Sequence, residues 1–141
     1  MREYKMSLYR NAIQTPDGTV LESRHLHDYK EYVDDNGKTY MVDGGLSYSR
    51  RSCHGDEINL ALYDDDKNTI EEIREVMTWG TRGINGDQPL TYVKLKDMST
   101  THIARTLSNV PGILPHFIRS FYDELARRDA YINRLSNSES V

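Results

Sequence analysis

The chain has 141 residues, 28% of them charged and 37% in the hydrophobic set, with ten tyrosines. A formal charge of −4 argues against a coat for duplex DNA, which needs a basic surface. The lone Cys53 excludes an internal disulfide framework and a four-cysteine zinc ribbon. No stretch approaches the ~20 apolar residues of a membrane span, and no apolar h-region follows Met1, so the expected setting is the cytoplasm.

Residues 1–64 read as short strands and tight turns. Leu8–Ile13 is a strand, Thr15-Pro16-Asp17-Gly18 a turn, and Thr19–Ser23 the returning strand. A second hairpin pairs Tyr29–Val33 with Thr39–Val42 across Asp34-Asp35-Asn36-Gly37, a strong hairpin signal. Gly44-Gly45 breaks the chain before Leu46–Arg51, a further candidate strand. Residues 64–69 form a polar linker. Ile70–Thr78 mixes helix formers with strand formers, and its second half is assigned to strand. Leu90–Leu95 is a strand.

The pattern then turns helical. Ser99 is the expected N-cap of a helix to about Leu107, and Pro111-Gly112 interrupts it. A long helix follows from about Ile113 to about Leu135, with a polar, frayed tail at 136–141. Its apolar residues Leu114, Ile118, Phe121, Leu125, Ile132 and Leu135 form a heptad-like seam, with Arg128 at the missing position. The seam packs either on the chain's own sheet or on the same helix of a second copy. The first is the plainer reading, and the thin core raises the second. The expected fold is α+β in a single domain. An N-terminal antiparallel β-sheet core (1–98) precedes two C-terminal antiparallel helices (99–135).

Three chemistries compete. His25-Leu26-His27-Asp28 places two imidazoles on one face of a strand, but further ligands at metal spacing are lacking. Turn or surface histidines are expected, and no metal site. Cys53-His54 are neighbours in sequence only, and no nucleophile elbow is present, so no catalytic residue is assigned. The segment Trp79–Tyr92 is the most informative. It gathers three glycines, Arg82, Asn85 and two aromatics between strands. Glycines let backbone N–H groups approach phosphate, arginine pairs with phosphate, and an aromatic ring stacks on a base. The plainer alternative is a hairpin that buries Trp79 and Tyr92. Other arginines stand at element ends: Arg50 and Arg51 after Tyr48, Arg105 with His102 on one helix face, and Arg119 beside the seam. In an acidic chain this points to a discrete anion pocket, although a surface ion pair is the plainer use of any one of them.

Two stretches are similar to segments of small proteins of tailed bacteriophages. One runs through Tyr9-Arg10-Asn11-Ala12-Ile13, Glu22–Asp28, Val42-Asp43-Gly44-Gly45 and Tyr48-Ser49-Arg50-Arg51. The other is Trp79-Gly80-Thr81-Arg82-Gly83 with Gln88–Tyr92 and Leu95-Lys96-Asp97-Met98. With its length, strand-rich first half and paired helices, the chain resembles the phage-encoded Thoeris anti-defence sponge family over most of residues 8–128. That resemblance implies sequestration of the cyclic ADP-ribose isomer made by bacterial TIR-domain enzymes. It also implies cyclic oligonucleotides as a further ligand class, assembly through the helices, and neither cofactor nor turnover. The residues expected to hold such a ligand are Tyr92, Arg119, His102, Arg105, Arg50 and Arg51, then Trp79, Arg82 and Asn85. A module that inhibits a host enzyme by contact and a nucleotide-processing enzyme are the competing functions.

Overall fold

The computed structural model describes residues 7–65 and 67–139, with side chains as far as Ile132. The chain is α+β, with antiparallel sheets first and helices last. It divides into two compact units, residues 1–67 and 68–141.

In the first unit, β1 (Leu8–Gln14) pairs antiparallel with β2 (Val20–Ser23), and β3 (Lys30–Val33) with β4 (Thr39–Asp43). The two connecting turns share one hydrogen-bond pattern. Thr15 N–H donates to the Thr19 carbonyl at 2.8 Å and Asp34 N–H to that of Lys38 at 3.0 Å. Gly18 and Gly37 close them at φ of 92° and 77°, a backbone region that L side chains rarely adopt. Tyr32 donates its hydroxyl to Asp17, tying one hairpin to the turn of the other. Ile13, Leu21, Tyr40 and Val42 form the buried cluster between the hairpins, with Tyr32 against it.

Leu46–Arg51 is not one strand. Only Arg50–Arg51 (β5) pairs, with β4. The stretch before it is a turn, because Tyr48 N–H returns to the Gly44 carbonyl at 3.0 Å and Ser49 Oγ to that of Gly45 at 2.8 Å. A Cβ on Gly45 would stand 2.6 Å from the His25 carbonyl carbon, so only glycine fits there. Two further strands lie on β1: β6 (Ile58–Asn59) and β7 (Leu62–Tyr63). Asn11, on β1, is fully buried. Its amide donates to the carbonyls of Asp43 and Gly45, each at 2.9 Å, and its Oδ1 accepts from Arg51.

The second unit opens with α1 (Ile70–Val76), capped by Thr69, so the ambiguous stretch is helical through Val76. Strand β8 (Thr78–Thr81) follows and pairs with β9 (Thr91–Lys94). A 3-10 turn, Leu95–Asp97, leads to α2 (Thr100–Asn109). Ser99 Oγ accepts from His102 N–H at 3.0 Å, the expected N-cap. Gly112, at φ 70°, breaks the chain before α3 (Pro115–Glu139).

Helix α3 continues past the expected end at Leu135, so residues 136–139 are helical. The side chain of Leu135 and residues 140–141 lie outside the described residues. The buried face of α3 is turned from the expected seam. Phe117, Ser120, Phe121 and Glu124 face inward, while Leu114, Tyr122 and Ile132 are exposed. The core of the unit gathers Ile73, Met77, Leu95, Met98, Ile103 and the two phenylalanines.

Arg128, the gap in the apolar seam, is a structural hub. Glu124 is fully buried between Arg74, at 2.8 Å, and Arg128, at 2.9 Å. Burial opposes ionisation of Glu124, but the hydrogen bonds from both guanidiniums outweigh it and hold the carboxyl below its ordinary value. Arg128 also donates to the carbonyls of Leu95 and Met98 and to Thr100 Oγ1, at 3.2, 2.8 and 3.0 Å. It therefore fixes the chain that enters α2.

Candidate functional site

An open cleft of about 910 Å³ lies within the second unit, between the β8–β9 hairpin and one face of α2. The hairpin contributes Trp79, Gly80, Thr81, Arg82, Gly83 and Ile84. The helix contributes Thr101, His102, Arg105, Thr106 and Asn109, with Ser99 and Val110 at its two ends. The helical spacing puts residues 101, 102, 105 and 109 on one side, while Ile103 turns into the core.

Each wall is held from behind. The Trp79 ring meets Phe121 edge-on at 5.5 Å and Phe117 at 6.3 Å between centroids, so the indole is braced by α3. Across the hairpin, the Tyr92 ring covers Gly80, where a Cβ would lie 3.3 Å from Cε1. The loop leaving β8 is closed at its base by Gln88 N–H donating to the Arg82 carbonyl at 2.9 Å. Arg128 anchors the start of α2.

The charge of the cleft is one-sided. Arg82 and Arg105 line it, and no aspartate or glutamate stands among its described lining residues. Neither guanidinium makes a hydrogen bond or ion pair with a described residue, and the His102 imidazole makes no hydrogen bond with one. Elsewhere the chain compensates its arginines readily: Arg10 on Glu22, Arg74 on Glu124 and Arg127 on Glu71. The first turn of α2 adds the partial positive charge of its N-terminal N–H groups. Hydroxyls of Ser99, Thr81 and Thr101 and the Asn109 amide supply neutral donors and acceptors. The cleft thus offers two cations, a planar aromatic wall and a polar fringe, which suits an anion that carries a ring.

Four of the residues expected from sequence converge here: Trp79, Arg82, His102 and Arg105. Tyr92 supports the hairpin from beside Gly80, Asn85 is exposed at the tip of the loop, and Arg119 is exposed on α3. None of these three lines the cleft. Arg50 and Arg51 belong to the first unit. Arg51 donates to Asn11 at 2.9 Å and to the Tyr63 hydroxyl at 2.7 Å, a framework role. Sequence reasoning did not find Thr81, Ile84, Thr106 or Asn109. The spacing of Asn109, four residues after Arg105, was the available signal.

His25 and His27 sit in an exposed turn, which Asp28 N–H closes on the His25 carbonyl at 3.0 Å. His54 contacts the Thr39 carbonyl at 2.9 Å and the edge of Tyr40, beside an exposed Cys53. Among the described residues, no three His, Cys, Asp or Glu side chains are grouped so as to hold a metal ion, and no helix is long and apolar enough to cross a membrane. No family model matches the chain, and no curated protein or solved structure matches it.

Proposed function

We propose that the protein captures a nucleotide-derived anion in the cleft of its second unit and holds it without turnover. The observation that carries this reading is the pair of uncompensated arginines, Arg82 and Arg105, on a cleft walled by Trp79 and free of described carboxylates. A pyrophosphate would take the guanidiniums, a purine would lie against the indole, and ribose hydroxyls would meet Thr81, Thr101 and Asn109. The lining favours binding over chemistry, since His102 is its one described side chain with an ordinary proton-transfer role and no carboxylate stands beside it to orient it. Together with the resemblance to the phage anti-defence sponges, this makes a cyclic ADP-ribose isomer the first ligand to test, with cyclic oligonucleotides second. The host bacterial cytoplasm is the setting in which such a signal is met.

Self-association through α3 belongs to the same proposal. Leu114, just before that helix, and Tyr122 and Ile132 on it are 45%, 59% and 58% exposed, apolar surface that a second copy would cover.

The test is direct. The purified protein is mixed with the products of a TIR-domain signalling enzyme, washed, heat-denatured, and the released molecules are weighed by mass spectrometry. Recovery of an intact cyclic ADP-ribose isomer is the expected result. A chemically altered product would favour an enzyme. A protein left empty by these products, and again by cyclic oligonucleotides in the same assay, with both signals still active, would end the sponge reading and direct attention to a host protein.

A further inference from the structure

The loop after β8 carries a residue that neither charge nor turn formation accounts for. Gly83-Ile84-Asn85-Gly86 is a four-residue turn closed by Gly86 N–H donating to the Gly83 carbonyl at 3.2 Å. Its two glycines take φ of 82° and 71°. Polar residues are the ordinary choice at the two central positions of such a turn, and Asn85 obeys that rule. Ile84 does not. It is 91% exposed, yet it lines the cleft.

From this position, we infer that Ile84 is the apolar cover for the ring of the ligand, facing the indole of Trp79 across the bound base. The inference rests on the nucleotide reading of the cleft and adds a determinant of selectivity to it. Arg82 and Ile84 belong to one tight loop, whose base is fixed by the Gln88–Arg82 hydrogen bond. One residue meets charge, and its neighbour but one meets the ring. A bare anion would use Arg82 and Arg105 and leave Ile84 in water. A ligand with a purine would bury Ile84 together with the exposed face of the indole, gaining affinity from apolar contact that no guanidinium supplies. Ile84 therefore discriminates ring-bearing anions from simple ones.

The experiment compares ADP-ribose with inorganic pyrophosphate on the intact protein, by calorimetry and competition, for the native chain, Ile84→Ser and Ile84→Leu. The expected result is a loss of about tenfold in ADP-ribose affinity for Ile84→Ser, with pyrophosphate unchanged and Ile84→Leu close to native. An unchanged urea midpoint, expected for so exposed a side chain, keeps the comparison one of binding. Equal ADP-ribose affinity in the native protein and Ile84→Ser would overturn the inference and leave capture by the arginines standing. An equal loss for both probes would also overturn it, because Ile84 would then act on the loop and not on the ring. A native protein that binds neither probe would remove the nucleotide reading, and this inference with it.

Discussion

Arg74 and Arg128 flank a carboxylate that is fully buried, whereas Arg82 and Arg105, in the same unit, line a cleft with no described carboxylate at all. The residue type is the same and the physical role is opposite. Around Glu124 both guanidiniums are hydrogen-bonded to the one buried carboxylate, and Arg128 spends its other N–H groups on the Leu95 and Met98 carbonyls and Thr100, so the cluster orients three elements. At the cleft no described carboxylate meets the guanidiniums, and on the proposed function that is what leaves them for a ligand. An arginine's neighbours on all sides, more than its place in the sequence, decide whether it is framework or site.

The contrast breaks most visibly at Glu124. Glu124→Gln should cost about 3–5 kcal/mol, because two guanidiniums lose their counter-charge in a buried setting. A urea-denaturation midpoint close to native would show that the triad contributes little. Arg105→Ala should do the reverse. Its stability should stay within about 0.5 kcal/mol of native, while affinity for ADP-ribose falls about 10- to 100-fold with the loss of a charge-assisted contact. Equal affinity by calorimetry would take Arg105 out of the site. Salt should separate the two regions further. Between about 0.05 and about 0.5 M salt, ligand affinity should drop several-fold, since the cleft is open to water, whereas the stability that Glu124 provides should move little.

Acid and alkali should act on different units. Glu124 has a depressed carboxyl in the folded state, so its contribution is complete above its ordinary value of 4.5 and is lost as pH falls below it. In the first unit the Tyr40 phenol is raised from 10.0 to about 12, by burial first and then by its hydrogen bond to Asp56. A raised group stabilises fully below its unfolded value, so this contribution should fade between pH 10 and about 12. Urea midpoints along the two arms, in native protein and in Tyr40→Phe, check the assignment. An alkaline arm unchanged by Tyr40→Phe would show that other groups control it.

Much of the local architecture was legible because it depends on residues a few positions apart. Both glycine-closed turns of the first unit, the Ser99 cap and the break at Gly112 follow from turn and cap chemistry alone. The failures lie where distant partners decide. Leu46–Ser49 has the alternation of a strand, yet Asn11 and Ser23, far off in sequence, hold the Gly45 backbone by hydrogen bonds at the start of a turn. Strands β6 and β7 have two residues each and owe their pairing to β1. On α3 the apolar spacing marks the helix, but its inward face includes the buried carboxylate of Glu124, and Arg128 looks like a gap until Glu124, one turn earlier, is paired with it. The site shows the same division. Trp79, Arg82, His102 and Arg105 were legible by type, since aromatic and cationic residues near glycines suggest a ligand. The grouping that excludes Arg50, Arg51, Asn85, Tyr92 and Arg119 required coordinates, because no spacing fixes which arginines share a cleft.

Trp79 is the chain's single tryptophan, and it stands in the wall of the cleft. Light absorbed near the red edge of the protein's ultraviolet band is therefore emitted from the cleft alone. A base stacked on the indole would quench that emission, and displacement of water would shift its colour. On the proposed function the protein would carry its own optical reporter, with occupancy titrated without a label and dissociation followed in real time by stopped flow.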